Sequence, residues 1–589
     1  MAYRDITIKD IEPIIPFSRG STEIFLTGQW SAGKPAWVEK TSPCRQGCPI
    51  GNDIARAFAT ASKGRIDEAL AIFREENPLP AVCGRVCYHP CEDACNRKEM
   101  DEAVNIRGFE RFCADHGRVA APRPAVVRKE RVAVVGSGPA GLSAAYHLAR
   151  LGFPVTIFEA LPEAGGMLMY GIPEYRLPKA VLRKEIGLLA RLGVRIETGA
   201  PVAAEGSGPL TLAAIRRDYA AVFLAVGSHK GSGLGVEGEG ASGVLEGIAF
   251  LRSVAMHEAP DVSGRVAVIG GGNTAVDCAR TAKRLGAAHV TVLYRRSRAE
   301  MPALAEDIEG VEADGIKMEL LAAPKRVIAE GGRVSAIDCV RMSLGPPDGS
   351  GRPAPVPIPG SDFVMAVDTV IAAVGQAPEL GFLSASGVAT TARGMIGIDG
   401  KGATAAPGVF AGGDASGGRA FVADAVASGK MGALAIYCYI EGKDAAREYE
   451  ALRIGAGPSF AFGPLVNPDR PKVDLADVVT YDRLNTICVP FAKRNDNPQS
   501  TGPARAPNAA DAFGEIAGGL PRKRAEAEIA RCFKCGTCTA CDLCFLLCPD
   551  VSILKAKAGG YDVKSDYCKG CGVCASACPR QVIGMGGGR

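Results

Sequence analysis

The stretch that decides the fold is residues 131–141, RVAVVGSGPAG, in which an apolar run meets Gly136, Gly138 and Gly141. The run predicts a buried strand, and the glycine spacing is typical of a strand–turn–helix unit that binds a dinucleotide. Gly136 permits the tight turn, Gly138 lets backbone approach a pyrophosphate, and Gly141 allows close helix–strand packing. Glu159 closes the next predicted strand, where a carboxylate accepts hydrogen bonds from ribose hydroxyls.

A second element far downstream points to a flavin. Residues 404–414, TAAPGVFAGGD, end in Gly413 and Asp414. This segment resembles the flavoprotein motif whose aspartate contacts the ribityl–pyrophosphate part of FAD. We therefore expect FAD at the first glycine turn, rather than a glycine-rich turn with no ligand.

A second glycine turn follows the predicted strand Arg265–Ile269 and supplies the candidate residues Gly270, Gly272, Asn273, Thr274 and Ala275. Aligning the two units places Tyr294 where the first has Glu159, with Arg295 and Arg296 next and Arg298 near. Without this carboxylate, the site has no acceptor for a free 2′-hydroxyl and no negative charge that would repel a 2′-phosphate. Arginines at this place can bind that phosphate through bidentate contacts. We therefore expect NADP(H) at this site, and NAD(H) is the alternative cofactor. The alternative for the arginines is that they form a solvated run of charges and bind no ligand.

The C-terminal residues 531–589 contain the spacing Cys-x2-Cys-x2-Cys-x3-Cys-Pro twice, the pattern of bacterial two-cluster ferredoxins. In that pattern the fourth cysteine of each motif ligates the other cluster. The predicted ligand sets are Cys538, Cys541, Cys544 and Cys578 for one [4Fe-4S] cluster, and Cys568, Cys571, Cys574 and Cys548 for the second. Zinc ribbons are the alternative. Cys532 and Cys535 extend the ladder upstream and are expected to be spare thiols or to lie behind the ligands.

The N-terminal region has helical spacing, as in Asp53–Ala71, and contains Cys44, Cys48, Cys83, Cys87, Cys91 and Cys95. Their four-residue steps are not zinc-finger spacing. Together with Gly165–Pro178 and Tyr294–Ala303, this region resembles the glutamate synthase small-subunit family. The same N-terminal iron–sulfur domain occurs in dihydropyrimidine dehydrogenase and in the flavoprotein subunit of NADH-dependent ferredoxin:NADP oxidoreductase.

The resemblance implies one or two N-terminal [4Fe-4S] clusters, and Gly166 and Met167 are expected to bind FAD. Matching positions suggest Cys48, Cys87 and Cys91 for an inner cluster, with Glu110 where relatives can carry a non-cysteine ligand. Cys44, Cys83 and Cys95 are then left for a second cluster. The family's usual Cys-x2-Cys just upstream of Cys44 is missing here, because residues 1–43 contain no cysteine. Structural zinc or simple buried thiols are the alternative.

The predicted fold is multidomain α/β, with alternating βαβ units and a parallel sheet from 126 to 455. The predicted strands are Arg131–Val135, Pro154–Phe158, Ala221–Val226, Arg265–Ile269, His289–Leu293 and Thr369–Val374. The predicted domains are a helical iron–sulfur domain (1–125), a Rossmann-like FAD domain in two parts (126–245 and 379–455), an inserted Rossmann-like NAD(P)H domain (246–378), a connector (456–530) and a bacterial-type α+β ferredoxin domain (531–589). Cys113, Cys278, Cys339, Cys438 and Cys488 are expected to be core residues.

Net charge and the pattern of apolar residues limit the protein's partners and location. The 68 basic and 64 acidic side chains leave a net charge of +4, too balanced to argue for nucleic acid or an anionic membrane as the main partner. The N-terminus lacks the apolar region of a secretory signal, and no run of 18 apolar residues occurs. We expect a cytoplasmic protein without membrane insertion.

Every recognisable motif binds a redox cofactor, and 165–173 carries no cysteine pair for disulfide reduction. The sequence therefore predicts an FAD- and iron–sulfur-dependent NAD(P)H oxidoreductase. It would act as the electron-transfer subunit of a hetero-oligomer, paired with a ferredoxin or with a catalytic oxidoreductase such as a 2-oxoacid or aromatic-compound enzyme. The alternatives are a glutamate synthase small subunit, which normally lacks a ferredoxin tail, and a flavin-based bifurcating NAD(P)H:ferredoxin oxidoreductase.

Overall fold

The computed structural model describes residues 26–120, 124, 126–349, 351–384, 386–469, 472–486, 489–498, 512–556 and 560–587. Residues 1–25 and Cys488 lie outside these ranges, so the expectations for them are not addressed. Cys113, Cys278, Cys339 and Cys438 are all buried, at 1% exposure or less.

A five-stranded parallel sheet, here the first sheet, contains the first glycine turn. Its strands in spatial order are Val409–Ala411, Ala221–Leu224, Val132–Val135, Val155–Phe158 and Arg195–Glu197. The central strand 132–135 is buried along its whole length, as an apolar run in a parallel sheet must be. The strand from 409 joins the sheet from beyond the second glycine turn, so the predicted nesting of one nucleotide domain in the other is observed.

Helices pack on the first sheet closely enough to require small residues. The helices Pro139–Arg150 and Val422–Glu441 cross where a Cβ on Gly429 would lie 2.0 Å from the carbonyl oxygen of Ala140. The other helices of this region are Met167–Tyr170, Lys179–Arg191, Leu212–Asp218 and Ala445–Leu452. The long helix 422–441 thereby holds the glycine turn against the downstream segment of the chain.

The second sheet is also parallel and five-stranded, and it contains the second glycine turn. Its strands in spatial order are Lys317–Leu320, His289–Tyr294, Arg265–Ile269, Thr369–Ala372 and Val244–Glu246. Its helices are Gly247–Ala255, Asn273–Arg284 and Ala305–Ala313. The last strand of the order spans position 245, so the predicted division at 245/246 falls inside a strand of this sheet.

An antiparallel three-stranded sheet follows in sequence and was not predicted. Its strands are Ala322–Glu330, Arg333–Pro347 and Pro353–Ala366. The strands are long and only partly buried, so their sequence lacks the compact apolar run that identified the parallel strands. A short antiparallel pair, Lys230–Gly231 with Gln376–Ala377, runs where the chain crosses between the two nucleotide-binding regions.

The N-terminal region is helical, as predicted. Its helices are Pro43–Gly47, Ile54–Ala61, Ile66–Arg74, Pro80–Val86, Pro90–Asp93 and Ile106–His116. The periodic stretch 53–71 is divided between two helices, because the chain turns at Gly64 with a φ of +77° that favours glycine. None of the helices in the described ranges combines the length and apolarity that a membrane crossing would need.

The two ends of the chain meet. The strand Glu39–Thr41 pairs with Val473–Val478, and Gly33–Trp37 pairs antiparallel with the C-terminal strand Ile583–Gly587. The connector adds the helices Gly463–Val466 and Arg522–Arg531, and the C-terminal region adds Leu543–Leu546, Val573–Ala577 and the hairpin Ile553–Lys555 with Tyr561–Val563. The C-terminal cysteine-rich region is therefore packed against the N-terminal one.

A buried lysine joins three parts of this assembly. The Nζ of Lys430, on the long helix, lies 2.5 Å from Oε2 of Glu76 and donates to the carbonyl oxygens of Ile50 (2.7 Å) and Phe460 (2.5 Å). Neither charged side chain is more than 1% exposed. Breaking such a pair leaves the other charge buried and uncompensated.

We expect Lys430→Met to lower the free energy of unfolding by about 3–5 kcal/mol, because Glu76 then keeps its charge without its cation. Thermal unfolding of the purified full chain measures the effect. Lys443→Met is the matched control: that lysine lies 3.8 Å from Glu448 with 40% exposure, and we expect a change of about 1 kcal/mol at most. Equal shifts in the two variants would contradict a structural role for the buried pair.

Candidate functional site

A continuous cavity of about 1260 Å³ lies between the two glycine turns. Both turns line it, Gly136–Gly138 on one side and Gly270–Gly272 on the other. Pockets for one small ligand typically measure about 300–1,000 Å³. The cavity therefore has room for two ligands facing each other across the two sheets.

The first turn has the shape that a pyrophosphate needs. Gly136 has a φ of +99°, and a Cβ there would lie 2.3 Å from the carbonyl oxygen of Ala225. A Cβ on Gly138 would meet nothing within 4 Å, so its backbone faces open space at the start of the helix Pro139–Arg150. A Cβ on Gly141 would lie 2.0 Å from the carbonyl oxygen of Gly136, which is the close packing that the spacing predicts. A phosphate at a helix N-terminus is favoured by the free N–H groups and the helix dipole.

Two carboxylates face this half of the cavity. Glu159 accepts from the backbone N–H of Ser137 (2.9 Å) and of Leu161 (2.8 Å), which fixes it beside the turn. Burial and the neighbouring Asp424 raise the pKa of Asp414 to about 6. Both are acceptors suited to a ligand rich in hydroxyls, such as the ribose and ribityl groups of FAD.

Gly166 and Met167 lie next to the first turn, as the resemblance implied. A Cβ on Gly166 would lie 2.8 Å from Cα of Gly138, and both residues line the cavity. Gly413 also lines it, and its N–H donates to Oγ of Ser428 at 2.7 Å. The structure thus brings the predicted FAD residues from three separate segments to one place. Their assignment stays a prediction.

The second turn is built in the same way. Gly270 has a φ of +143°, and a Cβ there would lie 2.3 Å from the carbonyl oxygen of Ala373. Oγ1 of Thr274 accepts from Nε2 of Gln376 at 2.9 Å, and Oδ1 of Asn273 accepts from the N–H of Leu304 at 3.2 Å. Ala275 is buried beneath the turn and does not line the cavity. It occupies the packing position that Gly141 has in the first turn.

The three predicted arginines differ in their surroundings. Arg295 is exposed and lines the cavity. Arg296 lines it too, but its side chain is 2% exposed, and it pairs with Asp348 and donates from Nε to the carbonyl oxygen of Pro353 at 2.7 Å. Arg298 forms an ion pair with Glu312 and is not among the cavity-lining residues. Of the three, Arg295 is thus the candidate for a 2′-phosphate, and Arg296 positions the loop.

Sequence reasoning missed two cavity residues. Arg352, at the turn before the strand Pro353–Ala366, reaches the cavity from the antiparallel sheet. Arg176 also lines it, and its guanidinium bridges Asp277 (2.8 Å) and Asp307 (2.9 Å) in the second nucleotide-binding region. No local motif marks either residue, and the partners of Arg176 lie 101 and 131 positions away in the sequence.

The structure brings one predicted C-terminal set together and packs two members of the other near each other. Cys538, Cys541, Cys544 and Cys578 line one small cavity together with Trp37 and Tyr561. Cys574 belongs to a buried cluster against which Cys548 packs. The assignment of both sets stays a prediction. Cysteine thiolates at this spacing are the donor set of a [4Fe-4S] cluster, so the residues present fit the group.

The structure also brings the inner N-terminal cysteines close together. Burial raises the pKa of Cys91, and the neighbouring Cys48, Glu92, Cys87 and Cys44 raise it further. Burial raises the pKa of Glu110 to about 8, although Asn77 (2.8 Å) and Asn52 (3.1 Å) donate to its Oε1. Buried thiols that repel one another as thiolates are stabilised when a metal centre binds them.

The structure places the remaining cysteines by contacts between distant segments. Cys83, which the sequence grouped with Cys44 and Cys95, has its Sγ 3.9 Å from Oδ1 of Asn77. Cys532 and Cys535, expected to be spare thiols or to lie behind the ligands, line a cavity with Cys44 and Cys95. The spacing of cysteines along the chain does not report such packing.

The described part of the chain holds no set of three or more histidine, cysteine, aspartate or glutamate side chains placed to chelate a single metal ion. Nor does any disulfide link the described cysteines.

The inner cysteines adjoin the nucleotide cavity. Val86, immediately before Cys87, lines that cavity. The ring of Tyr88 lies 4.4 Å from that of Phe421, which also lines it. The first nucleotide site and the inner thiol set are therefore separated by little more than one layer of side chains.

Comparison with known proteins agrees with this arrangement. A family model described as pyridine nucleotide-disulphide oxidoreductase matches residues 130–429, one described as dihydropyrimidine dehydrogenase domain II, 4Fe-4S cluster, matches 39–121, and one described as 4Fe-4S binding domain matches 561–584. The resemblance stated from the sequence and the FAD, NADP and [4Fe-4S] cofactors are confirmed by these matches.

Curated relatives extend the comparison. The chain is 41% identical over 524 residues to the NADP(+)-dependent formate dehydrogenase subunit beta of Moorella thermoacetica, covering 84% of this chain and 70% of that protein. It is 43% identical over 386 residues to the NADPH-Fe(3+) oxidoreductase subunit beta of Geobacter sulfurreducens, covering 63% of this chain and only 57% of that protein. It is 33% identical over 457 residues to the glutamate synthase [NADPH] small chain of Escherichia coli, covering 74% and 94%.

The family model spans more than half of the chain, and the longest of these matches covers both the cysteine-rich N-terminal region and the nucleotide sheets. The chain accordingly belongs to the pyridine nucleotide-disulphide oxidoreductase family, as an FAD- and NADP(H)-dependent oxidoreductase with iron–sulfur domains at both ends.

Proposed function

We propose that this chain passes electrons between NADP(H) and a redox partner protein, with the ferredoxin region as the exit. The observation that carries the proposal is the contact of the inner cysteine set with the nucleotide cavity through Val86. A cavity for two dinucleotides that borders a row of thiol sites suits electron transfer out of the cavity.

When bound, FAD exchanges two electrons at once with a nicotinamide and single electrons with [4Fe-4S] clusters. The residues of this chain supply position and electrostatics. The first turn and Glu159 hold one dinucleotide, and the second turn with Arg295 holds the other. Arg176, by bridging Asp277 and Asp307, fixes the angle between the two nucleotide regions and hence how the ligands face each other.

We propose a catalytic oxidoreductase subunit as the partner, in a hetero-oligomer. Two of the relatives are named as beta subunits, of a formate dehydrogenase and of an Fe(3+) oxidoreductase. The surface of the ferredoxin region supports a protein partner, because Leu546 and Val551 are each 69% exposed close to Cys548. Exposed apolar side chains that cluster in this way mark contact surfaces. The carbon substrate would then be bound by the partner.

Removing ferredoxin-region ligands should separate the two halves of this function. We expect Cys541→Ala and Cys571→Ala to slow NADPH-dependent reduction of an added small ferredoxin by at least about tenfold, since even changes behind the ligands of a metal centre cost roughly 10–100-fold. Anaerobic bleaching of the flavin by NADPH should be unchanged in rate. Cys438→Ala, a buried cysteine outside every thiol set, is the control. Undiminished ferredoxin reduction in both ligand variants would rule out this exit.

Arg295→Ala should raise KM for NADPH by about tenfold while KM for NADH changes little, because a hydrogen bond to a charged group is worth roughly 1.5–3 kcal/mol. Steady-state kinetics with both nucleotides measures the ratio. Arg298→Ala is the matched control, as its side chain is paired with Glu312 away from the cavity. A KM ratio that is the same in the two variants would refute the assignment of Arg295 to the 2′-phosphate.

A further inference from the structure

A second thiol set lies where the two ends of the chain pack together. Cys44 and Cys95 from the N-terminal region and Cys532 and Cys535 from the C-terminal segment line one cavity. Its remaining lining is mostly apolar and includes Ile54, Phe58, Val104, Ile106 and Phe533. Its volume, about 20 Å³, equals that of the cavity lined by the ferredoxin cysteines Cys538, Cys541, Cys544 and Cys578.

The loop between Cys532 and Cys535 has the backbone conformation of the ferredoxin loops. Its third residue, Lys534, is left-handed with a φ of +54°. The third residue of the first Cys-x2-Cys loop in each ferredoxin motif is also left-handed: Ala540 has a φ of +55° and Gly570 of +71°. This conformation is uncommon for a lysine or an alanine and costs free energy, so the surrounding structure must impose it. The same strained turn thus recurs at a third pair of cysteines that the ferredoxin motif does not use.

Polar groups donate hydrogen bonds to the sulfur atoms of this set or lie beside them. The N–H of Lys534 donates to Sγ of Cys532 at 3.3 Å, and Nδ2 of Asn96 donates to Sγ of Cys535 at 3.4 Å. Oγ of Ser42 lies 3.2 Å from Sγ of Cys44. Donors to the sulfur ligands are a general feature of iron–sulfur sites and help to set their reduction potential.

A buried ionic network holds the two halves of the set together. Arg531, next to Cys532, donates to Oδ1 of Asp101 (3.0 Å) and to both carboxylate oxygens of Glu528 (3.0 and 3.1 Å). Arg97, two residues after Cys95, donates to Asp101 and, at 3.1 Å, to the carbonyl oxygen of Arg531. Both arginine side chains are at most 3% exposed. The cysteine pairs are therefore fixed relative to each other and not brought together by chance.

We propose that Cys44, Cys95, Cys532 and Cys535 ligate a further [4Fe-4S] cluster, shared between the two ends of the chain. This set replaces the Cys-x2-Cys that relatives carry upstream of Cys44 with one that comes from 488 residues downstream of it, counting Cys44 to Cys532. The ligands are argued independently of the proposed electron-transfer function, and only the role of the cluster rests on it.

The position of this site gives it that role. On one side, the helix Pro43–Gly47 that carries Cys44 packs on the inner set, since a Cβ on Gly47 would lie 3.8 Å from Cα of Cys91. On the other, Gly536 follows Cys535 directly, and its N–H donates at 3.0 Å to the carbonyl oxygen of Arg580, close to Cys578 of the ferredoxin set. The shared cluster would take one electron at a time from the inner cluster and give it to the ferredoxin clusters, so that no step of the path lacks an intermediate site.

Metal analysis of the anaerobically purified full chain tests the proposal. We expect about sixteen iron atoms and about sixteen acid-labile sulfides per chain in the wild type, for four clusters of four irons each. Cys44→Ala and Cys535→Ala, from opposite ends of the chain, should each bind about four fewer irons and lose the same low-temperature EPR signal after dithionite reduction. Cys438→Ala should keep the full count.

FAD content and NADPH-dependent bleaching of the flavin report separately on the proposed function and should be retained in both ligand variants. Zinc in place of the fourth cluster's iron, or a Cys535→Ala variant with the iron content of Cys438→Ala, would overturn the shared cluster. A wild-type count of about twelve irons would also overturn it if Cys87→Ala, in the inner set, still lowers the count by about four, because the inner cluster is then present.

Discussion

The four-residue network of Arg97, Asp101, Glu528 and Arg531 is the constraint on which the proposed electron path depends. Arg97, Glu528 and Arg531 are at most 3% exposed and Asp101 is 13% exposed. The network joins residues separated by more than 400 positions, and each carboxylate in it has at least one arginine partner. Burial opposes the ionisation of Asp101, yet the hydrogen bonds of Arg97 hold the pKa of this carboxyl below its usual value. Because a charge left alone here would be costly, the network fixes the ferredoxin region against the N-terminal helices.

The nucleotide regions are joined by a different device. The first sheet is completed by the strand Val409–Ala411 from beyond the second sheet, so the first region is not a continuous piece of chain. Across the boundary, one guanidinium nitrogen of Arg176 donates to both carboxylate oxygens of Asp277. The two glycine turns therefore face one cavity at a fixed angle. The inner cysteines border the same cavity through Val86, which places the thiol sites in one row with the nucleotides.

The features that were predicted are those that depend on a short stretch of sequence. Six of the ten strands of the two parallel sheets were predicted to within about two residues, whereas Arg195–Glu197, Val244–Glu246, Lys317–Leu320 and Val409–Ala411 were not. The ferredoxin ligand sets follow from cysteine spacing alone, because that spacing is itself the binding loop, and they stay a prediction. Distant packing was not predictable. Arg296 pairs with Asp348, just after the strand Arg333–Pro347. Cys83 has its Sγ 3.9 Å from Oδ1 of Asn77, and Cys532 and Cys535 approach Cys44 only because the N-terminal and C-terminal regions pack together. The one local signal for the role of Cys532 and Cys535 is that the three-residue spacing of cysteines continues upstream of the ferredoxin motif.

The most direct test of the account is to mix the full chain anaerobically with excess NADPH and to follow the flavin absorbance and the cluster EPR signals in rapidly frozen samples. The account predicts that the flavin bleaches first and that reduced clusters then accumulate, so that each chain takes up more than the two electrons that the flavin alone can hold. A flavin that is fully reduced while every cluster stays oxidised would contradict the claim that nucleotides and thiol sites form one path.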